Sequence, residues 1–285
     1  MFNYLLYRIG KFIALLFPLK ISYRIAVLAS DIHYFFAGQD RKIVQNNLRA
    51  VFPQMPKRQL NKICINTFRN FAKYLVDFFR SEKIDHNFIK NNVIIENQDY
   101  LEESLAKGRG VILLSAHLGN WELGGMVVAL LGYPFWEVAM THIDKNVNKF
   151  FNAQREGRGA KVIPLGNAVR QCLDVFKNDG IVALVGDRDF SGKGSVVDFF
   201  GKPTIFPEGP AEFSRKIGAV IVPVFMLRNP DDSFILRFEK PLDFPSTPDK
   251  ANDLKRLIGS YKLIFEHYIK NYPDQWCMFR RFWKE

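Results

Sequence analysis

Two side chains able to move a proton, His117 and Glu122, stand five positions apart in Gly110-Val111-Ile112-Leu113-Leu114-Ser115-Ala116-His117-Leu118-Gly119-Asn120-Trp121-Glu122-Leu123-Gly124-Gly125. On one continuous helix that spacing is about 500° of rotation, and the side chains diverge. They meet only if the chain turns between them, and Leu118-Gly119-Asn120 suits a turn. A carboxylate on one imidazole nitrogen fixes the tautomer and stabilises the imidazolium. The other nitrogen can then take a proton from a hydroxyl, which is general-base chemistry. The competing reading is a structural histidine beside an exposed helix-start acid.

The surrounding elements favour chemistry. Val111 to Leu114 is short, branched and bounded by glycine, the pattern of a buried strand. Asn120 fits the N-cap of a helix starting near Trp121. His117 then lies at the carboxyl end of a strand, the edge where open α/β sheets bind ligands. Glu122 falls in the first helical turn, among N–H groups that favour developing negative charge.

His-x4-Asp/Glu, here His117 to Glu122, resembles the motif of the bacterial lipid A late acyltransferases and of the mycobacterial phosphatidylinositol mannoside acyltransferases. The resemblance runs along nearly the whole chain. It takes in Asn47-Leu48 with Phe52-Pro53, Arg155 with Gly159, Asp187-Arg188-Asp189 and Val197-Asp198-Phe199-Phe200-Gly201. Pro273-Asp274-Gln275-Trp276 and Arg280-Arg281-Phe282 complete it. It implies a glycerol-3-phosphate acyltransferase-like α/β fold in which His117 is the base and Glu122 its orienting acid. The implied reaction moves a fatty acyl chain from a thioester, on acyl carrier protein or coenzyme A, to a hydroxyl of a lipid-linked sugar. The implied place is the cytoplasmic face of the inner membrane, with no cofactor and no metal. Arg155 falls on the family's functional arginine, with Arg158 as a competitor for that role. The resemblance also sets Asp187 near the histidine, and Asp187 and Arg188 are expected to shape the acceptor or phosphate site. Glu208, just ahead of a helix, and Asn120 are the remaining candidates for substrate binding.

Composition bears on partners. Lysine and arginine total 40 against 29 acids, a formal charge of +11. Such a chain favours anionic membrane headgroups, an acidic carrier protein or nucleic acid. No RNA- or DNA-binding signature accompanies the charge, so nucleic acid is not expected. Cys64, Cys172 and Cys277 are odd in number and widely spaced, which predicts reduced, buried thiols and a cytosol-facing protein. His33, His86, His142 and His267 show no metal-ligand spacing. Gly186 to Ser195 is not a phosphate-binding P-loop: Ser191 stands where glycine is required, and no Ser or Thr follows Lys193.

One acyltransferase domain over residues 1–285 is expected, with a helical membrane-associated part over 1–90 and an α/β core over 91–285. Met1 to Leu19 and Ile21 to Ala37 predict two membrane-surface helices, or else a buried helical hairpin. The longest uncharged apolar run, Phe12 to Leu19, is far short of the ~20 residues that span a bilayer. Another helix reaches about Val51, and Lys57 to Phe79 has the period of a long amphipathic one. Strands are predicted at Val93–Glu96, Val111–Leu114, Phe135–Met140, Lys161–Pro164, Ile181–Val185 and Val220–Phe225, with Phe234–Phe238 at an edge. Helical segments alternate with them, and Asp249–Asn271 closes the chain. The class is a mixed, mostly parallel sheet flanked by helices on both faces. Asp198 reads as a turn residue, and Arg280, Arg281, Trp283 and Lys284 as a basic aromatic surface tail. The function so read is O-acyl transfer. Its rivals are a thioesterase or lipid hydrolase, with water in place of the alcohol, and a non-catalytic protein that binds anionic membranes.

Overall fold

The computed structural model describes residues 2–190, 192 and 194–283. Lys193 of the rejected P-loop and Lys284 of the tail lie outside the described residues. Proline divides the first helices. α1 (Phe2–Leu16) stops before Pro18, α2 (Leu19–Phe36) and α3 (Gly38–Val51) follow, and Pro53 and Pro56 separate α3 from α4 (Lys57–Phe79). A short α5 (His86–Asn92) was not predicted. It is capped by Asp85, whose carboxylate accepts from the Phe88 N–H at 2.7 Å.

Strand and helix then alternate: β1 (Val93–Glu96), α6 (Gln98–Leu105), β2 (Val111–Ser115), α7 (Trp121–Leu130), β3 (Phe135–Ala139) and α8 (Lys145–Glu156). They continue as β4 (Lys161–Pro164), α9 (Ala168–Lys177), β5 (Ile181–Val185), the hairpin of β6 (Ser195–Phe199) and β7 (Lys202–Phe206), and α10 (Gly209–Ile217). β8 (Val220–Arg228), β9 (Phe234–Phe238) and α11 (Lys250–Asn271) complete the set.

Among the described residues the main sheet has seven strands in the order β1-β9-β8-β2-β5-β3-β4. Every neighbouring pair is parallel except β8 with β9. The class is the mostly parallel α/β sheet that the sequence predicts. β9 is not an edge strand, however. The turn closed by Asn229 N–H on the Ser233 carbonyl (2.8 Å) folds it against β8. β1 then covers its outer side in parallel register.

The central strands are buried on both faces, as parallel strands with crossover helices must be. In β2, Ile112 and Leu114 face the core shared with α9, α10 and α11. Val111 and Leu113 face the opposite core, shared with α4, α6 and α7. Val76, Phe78 and Phe79 of α4, with Ala14 of α1 and Tyr23 of α2, belong to this second core. α1, α2 and α4 therefore rest on the same face of the sheet as α7. β2 and β5 lie side by side, with Ser115 opposite Val185. That register brings the chain just beyond each strand to the same place.

Candidate active site

His117 follows β2 by two residues and Asp187 follows β5 by two, so the register of the strands sets them together. The imidazole Nδ1 lies 2.6 Å from Asp187 Oδ1, and the His117 backbone N–H donates to Oδ2 at 3.1 Å. The Trp276 indole N–H also donates to Oδ2, at 3.2 Å. Asp187 is fully buried. Burial alone would raise its pKa. The imidazole charge and the hydrogen bonds from His117 and Trp276 outweigh that effect and hold it below the usual carboxylate range. His117 is half-buried at 21%, with its ring edge-on to Trp121 at 5.3 Å. Among the described residues Nε2 has no hydrogen-bond partner. An ionised acid on Nδ1 and an open Nε2 are what general-base chemistry requires.

The turn that carries His117 is fixed from three sides. Gly119 has φ +70° and donates to the Gln275 carbonyl at 3.0 Å. A Cβ there would lie 2.1 Å from the Met226 carbonyl oxygen, so only glycine fits. Asn120 caps α7 as predicted: its side-chain oxygen accepts from the Leu123 N–H at 3.1 Å. Its amide donates to buried Asp77 at 2.8 Å, and its backbone N–H donates to the Met226 carbonyl at 2.8 Å. Asp77 also pairs with Tyr23 and Arg228. The C-terminal segment closes the third side, where Cys277 N–H donates to the His117 carbonyl at 2.8 Å.

Glu122 is not the partner of His117. It points to the other side of α7, where Arg155 grips it with two bonds, Nε to Oε2 at 2.9 Å and Nη2 to Oε1 at 2.5 Å. Both side chains are under 10% exposed. A second acid, Glu137 of β3, lies 3.2 Å from Arg155 Nε. One guanidinium thus faces two carboxyls. Burial first, and then repulsion by Glu122, push the Glu137 carboxyl up to about 8 against the pull of Arg155.

The sequence profile of the bacterial lipid A biosynthesis acyltransferases matches residues 1–285. The chain belongs to this family. It is similar to the phosphatidylinositol mannoside acyltransferase of Mycobacterium tuberculosis H37Rv, 29% identical over 256 residues that cover 88% of this chain and 79% of that one. The lipid A biosynthesis palmitoleoyltransferase of Escherichia coli K12 is 24% identical over 251 residues, covering 87% and 80%. A solved 1-acyl-sn-glycerophosphate acyltransferase, PlsC from Thermotoga maritima, aligns at 18% identity and a TM-score of 0.37, over 87% of this chain and 97% of that one.

In this acyltransferase the other predicted residues separate. Arg155 is buried with its fork on Glu122, and half-buried Arg158 donates to the Ile84 carbonyl at 3.1 Å. Asn120 is buried and tied into the turn, which makes it a positioning group and not a substrate contact. Asp187 is likewise closed off from substrate by His117 and Trp276. Glu208 precedes α10 and accepts from the Ser195 hydroxyl at 2.7 Å, with no contact to His117. Arg188 is half-buried over the Phe190 ring at 4.5 Å.

Several working residues escaped sequence reasoning. Asp77, Glu137, Gln275 and Trp276 act across the fold, and only the Pro273-Asp274-Gln275-Trp276 resemblance hinted at the last two. Asn47 is another. Its amide donates to the Met278 and Arg280 carbonyls at 3.0 and 2.8 Å, and its oxygen accepts from the Phe282 N–H at 3.1 Å. These bonds clamp the tail that holds Trp276.

Proposed function

We propose that this protein transfers a fatty acyl chain from an acyl thioester to a hydroxyl of a lipid-linked sugar at the cytoplasmic surface of the inner membrane. The observation that carries the reading is the His117–Asp187 pair at the carboxyl edge of the sheet, with Nε2 open. His117 Nε2 takes the hydroxyl proton as the acceptor oxygen attacks the thioester carbonyl. Asp187 holds the Nδ1 proton and stabilises the imidazolium. The tetrahedral adduct then collapses, the C–S bond breaks, and the thiolate leaves with the proton that His117 carried. The Trp121 and Glu122 N–H groups begin α7 without an acceptor among the described residues, and the helix start favours the oxyanion. Arg188 and Glu208 are the groups left to meet substrate, while Glu122 and Arg155 support the start of α7 from behind.

The membrane surface is supported by α1 and α2. Leu5, Phe12 and Leu16 on α1, and Leu28, Phe35 and Phe36 on α2, are between 56% and 78% exposed at helical spacing. Outward apolar stripes beside exposed Arg8, Lys20 and Arg24 suit helices lying in an anionic interface. Among the described residues no helix is long and apolar enough to cross a membrane. The donor carrier is acyl carrier protein or coenzyme A.

The test is transfer of a labelled acyl group from each donor to a panel of glycolipids, read by mass spectrometry. Wild type yields acylated acceptor, and His117→Ala yields none while keeping its circular dichroism spectrum. Free fatty acid as the sole product would replace the reading with thioester hydrolysis.

A further inference from the structure

β3 runs parallel to β5, and β5 to β2, so the chain just beyond Ala139 reaches the same edge of the sheet as His117. That segment is Met140-Thr141-His142-Ile143, apolar at both ends. Met140 is half-exposed and Ile143 is fully exposed. The loops on either side repeat the pattern. Phe190 beyond β5, and Leu165 and Val169 beyond β4, are exposed as well, and the strand order β2-β5-β3-β4 sets these loops in one row that starts at His117. A row of bare apolar side chains along one edge marks a surface that is covered in use.

The packing of α1 says what covers it. α1 lies along α8 and runs in the same direction. The Tyr4 and Tyr7 rings meet Phe150 at 6.4 and 6.1 Å, Tyr7 meets Phe151 at 5.1 Å, and Lys11 donates to the Gln154 side-chain oxygen at 3.0 Å. α8 begins at Lys145, on the edge that carries His117, so the amino end of α1 points to that edge too. Phe151 joins the two segments, because its ring also meets His142 at 4.7 Å. The bare stripe of α1 therefore leads to the Met140–Ile143 loop. Lys145 and Lys149, on the first two turns of α8, are exposed and make no ion pair among the described residues.

We infer that the Met140–Ile143 loop is a further membrane contact, one that seats the His117 edge of the sheet against an anionic bilayer. This rests on the membrane reading of α1 and α2. Continuity with the α1 stripe and the charge of the two lysines commit the surface to lipid. Met140 and Ile143 enter the acyl region, and Lys145 and Lys149 meet headgroup phosphates, the division of labour found in interfacial segments. With that edge on the bilayer, a lipid acceptor reaches His117 without leaving the membrane, and its hydroxyl arrives already confined to the plane of the base.

Hydrogen exchange read by mass spectrometry, with and without vesicles of mixed phosphatidylglycerol and phosphatidylcholine, tests the contact without catalysis. Residues 139–145 should exchange at least about three-fold more slowly with vesicles, and α1 and α2 should slow with them. Ile143→Glu should remove the slowing at 139–145 and weaken vesicle binding about five-fold. Its melting temperature should match wild type, since the side chain is fully exposed. Ile143→Leu, which keeps the apolar side chain, should behave as wild type. Slowing of α1 and α2 without slowing of 139–145 overturns the loop contact and leaves the membrane reading standing. No slowing in any of the three overturns both. If Ile143→Glu binds vesicles as wild type does but raises KM for the acyl donor in detergent, the loop covers the acyl chain of the substrate and the inference falls.

Discussion

Asp187 receives three donors on two oxygens, the His117 backbone, the His117 ring and the Trp276 indole, and none of them is solvent. Its charge stabilises the imidazolium from 2.6 Å, and it also draws on the Arg188 guanidinium. Asp187→Asn keeps the shape and removes the charge. It should lower kcat by on the order of 10³-fold or more with an unchanged fold. Glu122→Gln should cost far less activity when both variants are assayed well below their melting temperatures; the reverse order would restore Glu122 as the orienting acid. Glu122→Gln acts first on stability, and that loss is itself softened. Without the Glu122 charge, Glu137 can ionise and take over Arg155, so the loss should be about 1–3 kcal/mol rather than the ~3–5 kcal/mol of an orphaned buried charge. Glu122→Gln with Glu137→Gln removes both acids and should destabilise by more than the sum of the single variants. Glu137 also sets a pH dependence. Its folded pKa, about 8, lies above its ordinary 4.5, so the folded state holds the proton more tightly. Its contribution is full below pH 4.5 and is lost as pH rises through about 8. Glu137→Gln should flatten that fall in a set of urea melts between pH 5 and 9. A single sequence gave no route to this arrangement. Spacing pointed from His117 along the chain to Glu122, while the true partner lies across β2 and β5, and strand register is a tertiary fact. The family resemblance came closer, setting Asp187 near the histidine without its role.

Elements with one strong period were legible. Lys57–Phe79 reads as a helix because its apolar positions recur at helical spacing, and β5 reads as a strand because a short branched run lies between glycines. The β6–β7 hairpin was hidden by its turn. Phe200 and Gly201 form the two-residue loop with φ of 55° and 75°. A type I′ turn commonly announces itself by Asn-Gly, and phenylalanine in the left-handed region gives no such signal. The turn between β2 and α7 was legible because Gly119 and Asn120 are the residue types such a turn demands. What holds it was not, since Gln275 and Met226 come from distant parts of the chain. Gly119→Ala tests that element. The new methyl would meet the Met226 carbonyl in a backbone region that costs ~1–3 kcal/mol without glycine. Melting should drop by several degrees, and transfer should fall by more than the stability loss explains, because His117 moves with the turn. Wild-type kinetics in a folded Gly119→Ala protein would uncouple the turn from the base.

At the scale of the molecule, the sequence left two readings of the first forty residues open, and exposure rules against the buried hairpin. A buried hairpin would cover Phe35 and Phe36, yet these are 72% and 78% exposed. The inward sides of the two helices do pack, through Ala14, Tyr4 and Tyr7 on α1 and Tyr23 on α2. α1 and α2 therefore have two working faces, one toward the core and one bare. Sequence period alone could not assign them, because both faces are apolar. Water is a poor solvent for the bare face, and a lipid interface accepts both its apolar stripe and the flanking cations. This predicts salt-dependent binding to vesicles. Wild type should sediment with vesicles of mixed phosphatidylglycerol and phosphatidylcholine, less so as salt screens the headgroups. The triple variant Phe12→Glu, Leu28→Glu, Phe35→Glu should stay in the supernatant, since each change puts a charge where the acyl region would be. Its melting temperature should stay near wild type because the three side chains are at least 64% exposed. Transfer to a detergent-dispersed acceptor should persist, and transfer to acceptor held in vesicles should fall at least about ten-fold. Equal sedimentation of the triple variant and wild type would remove α1 and α2 from the membrane contact and leave their bare face to another partner.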